Sequence, residues 1–105
     1  MFTRVVHCTL KPERRTDFNQ VLHDQVLPEV KNQPGFVTLV GLMSDEEPDH
    51  ALAISFWLSK EDADRYYQSS APMVDYLEPL LKSSKVEHFT VDGTLFQILT
   101  EGIAA

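Results

Sequence analysis

The chain has 105 residues, with 9 basic against 16 acidic side chains and a formal net charge of −7. That length predicts a single domain, residues 1–105, with one modest core. The basic residues are scattered and adjacent only at Arg14-Arg15, which argues against nucleic acid or an anionic membrane as partner, since both need clustered Lys and Arg.

No apolar run approaches the ~20 residues of a membrane span. The stretch Met1 to His7 lacks the pattern of a signal peptide. Cys8 is the one cysteine and has no partner for a disulfide. These features predict a cytoplasmic protein.

Phe2 to Leu10 reads as a strand, with Val5, Val6, Cys8 and Thr9, and Lys11-Pro12 ends it. Glu13 to about Leu27 is predicted helical, because Phe18, Leu22 and Val26 recur at i, i+4 and i+8. Pro28 kinks that helix or restarts it in a first turn, and Gln33-Pro34-Gly35 closes it. Phe36 to Met43 and His50 to Leu58 are two further strands, joined by an acidic loop as a hairpin.

Ser59 is the expected N-cap of a second helix to about Gln68, with Asp62 completing a capping-box-like pattern. Ser69 to Pro72 interrupts it, and Ser70 is placed to cap a further segment. Met73, Tyr76, Leu77, Leu80 and Leu81 continue at helical spacing. Val86 to Phe96 is the predicted last strand, and 97–105 a short tail.

This β-α-β-β-α-β order predicts an α+β, ferredoxin-like fold, a four-stranded antiparallel sheet with helices on one face. The third strand is apolar on both parities: Leu52, Ile54 and Phe56 alternate with Ala51, Ala53 and Trp57. The face left by the helices must then be covered, and a second copy around a two-fold axis is the simplest cover. A homodimer with sheets face to face is expected.

Trp57 stands at a strand end, where pockets form in such sheets. If it faces the cavity between the two sheets, so do Ser55, Ala53 and Ala51, and these small residues beside one large aromatic leave room for a flat ligand. On the first strand, Phe2, Val6, Cys8 and Leu10 form the more apolar parity and are expected under the helices. His7 then points into the same cavity, where an imidazole can take a proton near neutral pH. Arg4 is expected on the wrong parity for it.

His88 shares a strand face with Thr90 and Asp92 and is a further binding candidate. Tyr66 and Tyr67 open onto opposite sides of a helix, so one is near the core, and a tyrosine hydroxyl there can orient a phenol. His23 and His50 read as solvated. Cys8 reads as a small buried hydrophobe rather than a nucleophile. No histidine pair has the i, i+4 spacing of a helical zinc site, and no metal is expected.

Over residues 2–96 the chain resembles the antibiotic biosynthesis monooxygenase domain family, dimeric α+β barrel proteins. Three patterns carry the resemblance. They are Val26-Leu27-Pro28-Glu29-Val30-Lys31-Asn32-Gln33-Pro34-Gly35-Phe36, Trp57-Leu58-Ser59-Lys60-Glu61-Asp62-Ala63, and the closing aromatic strand.

The resemblance implies oxidation of a quinol or phenol by molecular oxygen without metal or flavin, with Trp57 lining the substrate cavity. Where those enzymes place Asn four residues before this Trp the chain has Ala53, and where they place Tyr six residues after it, Ala63. The haem-degrading branch needs a second Trp and a ligating His, and Tyr66 and Tyr76 stand at the corresponding positions. No cofactor is therefore expected.

The residues assigned to a site are His7 as base, with Trp57, Ser55, Tyr66 and His88 around the substrate. The alternatives are a non-catalytic dimer that binds a small aromatic molecule, and an isomerase or lyase acting on a small oxo-acid.

Overall fold

A computed structural model describes residues 1–68 and 73–91. Four strands form one antiparallel sheet in the order β2-β3-β1-β4, where β1 is Phe2–Leu10, β2 Phe36–Met43, β3 His50–Trp57 and β4 Leu81–Thr90. The helices are α1 (Arg15–Val21), α2 (Leu27–Val30), α3 (Lys60–Tyr67) and α4 (Met73–Leu77). This is the expected ferredoxin-like arrangement. Among the described residues no helix is long and apolar enough to cross a membrane.

The first helical region departs from a single helix. It begins at Arg15 rather than Glu13, because Glu13 takes a left-handed turn conformation, φ 65°. Between α1 and α2 the segment Leu22–Val26 is π-helical. Pro28 offers no N–H to the Asp24 carbonyl, so the backbone widens by a residue and restarts with Pro28 in the first turn of α2.

The last strand begins earlier than its residue pattern suggests. A 3₁₀ turn over Glu78–Leu80 follows α4, and the chain is extended from Leu81. Pro79 sits in that turn and ends the helical periodicity. The expected break at Ser69 to Pro72, its Ser70 cap and the tail lie outside the described residues.

Phe2, Val6, Cys8 and Leu10 are buried under the helices, as expected, with Phe18, Leu22, Val26, Val30, Met73 and Leu77. The opposite face carries Val5, Leu52, Ile54, Phe56, Val40, Leu42 and Phe89, with Leu42 46% and Phe89 50% exposed.

The face of β3 is reversed from the expectation. Ala51, Ala53, Ser55 and Trp57 are all fully buried on the helix side. The helices supply large side chains above β3, and Ala51, Ala53 and Ser55 leave room for them. The larger Leu52, Ile54 and Phe56 turn outward.

A bulge in β2 between Phe36 and Thr38 adjusts the register against β3. It returns Phe36 to the core side, opposite Trp57, while Leu39, Gly41 and Met43 follow on the same face. Gly35, at φ +80°, makes the turn into β2, and its carbonyl accepts from the Leu58 N–H at 2.8 Å. That bond ties the start of β2 to the end of β3, where α3 begins.

Candidate functional site

α3 follows Trp57 almost without a loop. Ser59 Oγ accepts from the Asp62 N–H at 3.2 Å and donates to the Asp62 carboxylate at 2.8 Å, so a single hydroxyl caps the helix. The helix then runs back over the sheet and sets Asp64, Tyr66 and Tyr67 against β1 and β3.

Trp57 is enclosed on several sides. Its ring stacks on Tyr66 with centroids 5.4 Å apart, and Phe36 meets it edge-on, also at 5.4 Å. Its Nε1–H donates to Ser55 Oγ at 3.0 Å, which fixes the indole along the strand. Tyr67 meets Tyr66 edge-on at 5.0 Å. Burial holds the Tyr66 hydroxyl well above its ordinary pKa, so it stays a neutral phenol at physiological pH.

One row crosses three strands on this face. Arg4 pairs with Ser55 on β3 and with His88 on β4. Strand spacing puts the backbones of Ser55 and His88 about 10 Å apart, with Arg4 between them. Arg4 is 6% exposed. Its Nη2 donates to Asp64 Oδ1 at 3.0 Å, and its guanidinium carbon lies 3.7 Å from the Tyr67 ring centroid and 5.8 Å from that of Phe2.

Lys60 holds the other Asp64 oxygen at 2.9 Å. The two cations, Lys60 foremost, keep the Asp64 carboxyl below its ordinary pKa. The edge of the cluster opens to a cleft of about 270 Å³ lined by Met1, Phe2, Leu58, Ser59, Lys60 and Thr90.

The structure therefore brings together Trp57, Ser55 and Tyr66, but beneath the helices rather than between two sheets. His88 is on the same face, exposed on the edge strand, with its ring 5.4 Å from Phe2. Its expected neighbour Asp92 lies outside the described residues.

His7 is on the other face, where Nε2 meets Glu87 Oε1 at 2.7 Å and the ring stands 6.2 Å from His50. Strand alternation separates it from Trp57, and the two do not share a cavity. Tyr66 and Tyr67 both turn inward rather than one of them, because the Tyr67 ring covers Arg4. His23 is 77% exposed and pairs with Asp24. Cys8 is fully buried.

Arg4, Asp64 and Tyr67 were not expected here. The signal for Arg4 was present, since it shares the even parity of Phe2, Val6, Cys8 and Leu10. A charged residue on the apolar parity of a strand needs a partner, and Asp64 supplies it 60 residues away. Among the described residues no three His, Cys, Asp or Glu side chains gather so as to hold a metal ion.

Residues 1–76 match the family model described as antibiotic biosynthesis monooxygenase. The chain belongs to this family. No curated protein sequence matches it.

Among solved structures, a variant of SnoaB, a cofactor-independent oxygenase from Streptomyces nogalater, superposes with a TM-score of 0.74 at 23% identity, over 90% of this chain and 95% of that one. A protein from Bordetella bronchiseptica assigned to antibiotic biosynthesis monooxygenases gives 0.74 at 16% identity, over 87% and 96%. One from Nitrosomonas europaea with the same assignment gives 0.71 at 14%, over 87% and 98%. At these identities the likeness is one of fold. The family shares this architecture.

Proposed function

We propose that the protein is a cofactor-independent monooxygenase that oxidises a quinol or other electron-rich phenol with O2. The observation that carries this is the aromatic stack of Trp57 on Tyr66, beside Ser55 and Arg4, within a family named for monooxygenases.

The substrate ring lies against Trp57 on the helix side of the sheet. His88, the histidine on that side, takes the substrate proton. The resulting anion passes one electron to O2, and the radical and superoxide combine at carbon. The proton returns from His88 to give a hydroperoxide, which loses water to leave the quinone. The protein's part is to orient the ring, exclude water and stabilise the anion. His7 sits across the sheet from such a ring, so we move the base from His7 to His88.

The outer sheet face, with Val5, Ile54, Phe56, Val40 and Phe89, is the surface we assign to a second copy, which places His7 and Glu87 at that interface. Light scattering at micromolar concentration should give a dimer mass, and Phe89→Glu should shift it toward the monomer. The buried, unpaired Cys8 thiol fits a reducing compartment, and we place the protein in the cytoplasm.

Arg4 favours a second reading. A non-catalytic dimer that binds a small aromatic anion, or an isomerase or lyase acting on a small oxo-acid, gains from a cation on the ligand's face, and Arg4 provides one.

The deciding experiment is oxygen uptake on a panel of quinols and anthrone-like phenols, metal-free, with autoxidation subtracted. Uptake that falls in His88→Ala and persists in His7→Ala supports the oxygenase and its base. No protein-dependent uptake, with Trp57 fluorescence still quenched by the same compounds, transfers the assignment to the second reading.

A further inference from the structure

Two buried polar atoms on neighbouring side chains lack a hydrogen bond of good geometry, Arg4 Nε and Tyr67 Oη. The Tyr67 hydroxyl lies close to both Ser55 and the Arg4 guanidinium, yet makes no hydrogen bond of good geometry to either. Buried donors are almost always satisfied, so two left open on side chains in contact mark a position for an acceptor.

The trio of Arg4, Lys60 and Asp64 is net positive. Asp64 answers one of two cations, and Arg4 and Lys60 together leave a local excess of one positive charge in a protein of net charge −7. A cleft of about 270 Å³ adjoins the cluster, lined among others by Phe2, which lies against the Arg4 guanidinium, and by Lys60, which pairs with Asp64.

We infer that Arg4 Nε and Tyr67 Oη form an oxyanion subsite, which takes one anionic oxygen, phenolate or carboxylate, of a flat aromatic ligand. This rests on the placement of the ring beside Trp57 and extends it to the ligand's charge. A neutral isostere offers no negative charge to the guanidinium and is bound more weakly.

The test is calorimetric titration of the full chain at neutral pH with benzoate and 2,4-dinitrophenolate, set against the neutral isosteres benzamide and 2,4-dinitroaniline. The expected result is that at least one anion binds about tenfold or more tightly than its isostere. Which anion does so tells a carboxylate from a phenolate ligand.

Tyr67→Phe should remove most of that margin and leave isostere binding unchanged, while Arg4→Gln should abolish it. If Arg4→Gln fails to fold, Tyr67→Phe carries the test alone. Equal binding of anions and isosteres, or an unaltered margin in Tyr67→Phe, overturns the subsite and leaves the ring at Trp57 standing. No binding by any probe overturns both.

Discussion

The guanidinium carbon of Arg4 lies 3.7 Å from the centroid of the Tyr67 ring, and the same guanidinium is paired to Asp64 three residues earlier on the helix. One strand residue is thus gripped by two side chains of α3. A desolvated cation over an aromatic face is stabilised by about 2 kcal/mol, against about 0.5–1 kcal/mol at exposed sites. We expect Tyr67→Leu to lower the unfolding free energy by about 1–2 kcal/mol, read from urea titration with an unchanged slope. A loss below about 0.5 kcal/mol would mean that the stacking contributes nothing net.

Asp64 gives this cluster a dependence on acidity. Its folded-state pKa is depressed below 3.8, first by Lys60 and then by Arg4. The stability it adds is therefore present above the unfolded value and is lost as pH falls through the folded one. Asp64→Asn should melt lower than the wild type at pH 7. Below about pH 4 the two melting curves should draw together. A gap that stays constant down to pH 2 would contradict the ion pair.

Cys8 has the opposite sign. Burial pushes its thiol from 9.0 up to about 11. Stability linked to it is fully present below 9.0 and is lost as pH rises through about 11. At pH 8 the native protein should resist a disulfide-exchange reagent, and a chemical denaturant should expose one reactive thiol. Rapid labelling of the native state would show that β1 is not buried as described.

Gly35 is held at φ +80°, and a Cβ at this position would run into the carboxylate of Asp62. The left-handed conformation alone costs a non-glycine residue about 1–2 kcal/mol. Displacement of Asp62 would also disturb the Ser59 cap. Gly35→Ala should therefore destabilise by about 2 kcal/mol or more in thermal unfolding. Near-wild-type stability would show that the turn relaxes.

The element order was legible in the chain because each element announces itself locally. Ser59 and Asp62 cap α3, Phe18, Leu22 and Val26 trace one helix face, and the acidic loop between β2 and β3 sets a hairpin. The parity of β1 was also legible, since Phe2, Val6, Cys8 and Leu10 outweigh Thr3, Val5, His7 and Thr9 in apolar bulk. For β3 local bulk pointed the wrong way. Ala51, Ala53 and Ser55 look like the lining of a cavity, but small side chains under a helix layer are what let large ones interdigitate above them.

The partners of Arg4 were decided only by the tertiary structure. Sequence by itself determined that a charge sits on an apolar parity and must be compensated. The fold of α3 back over β1 and β3 chose Asp64 and Tyr67 for that task. The same strand alternation that puts Arg4 next to Ser55 sends His7 to the far face, because successive side chains on a strand point to opposite sides of the sheet.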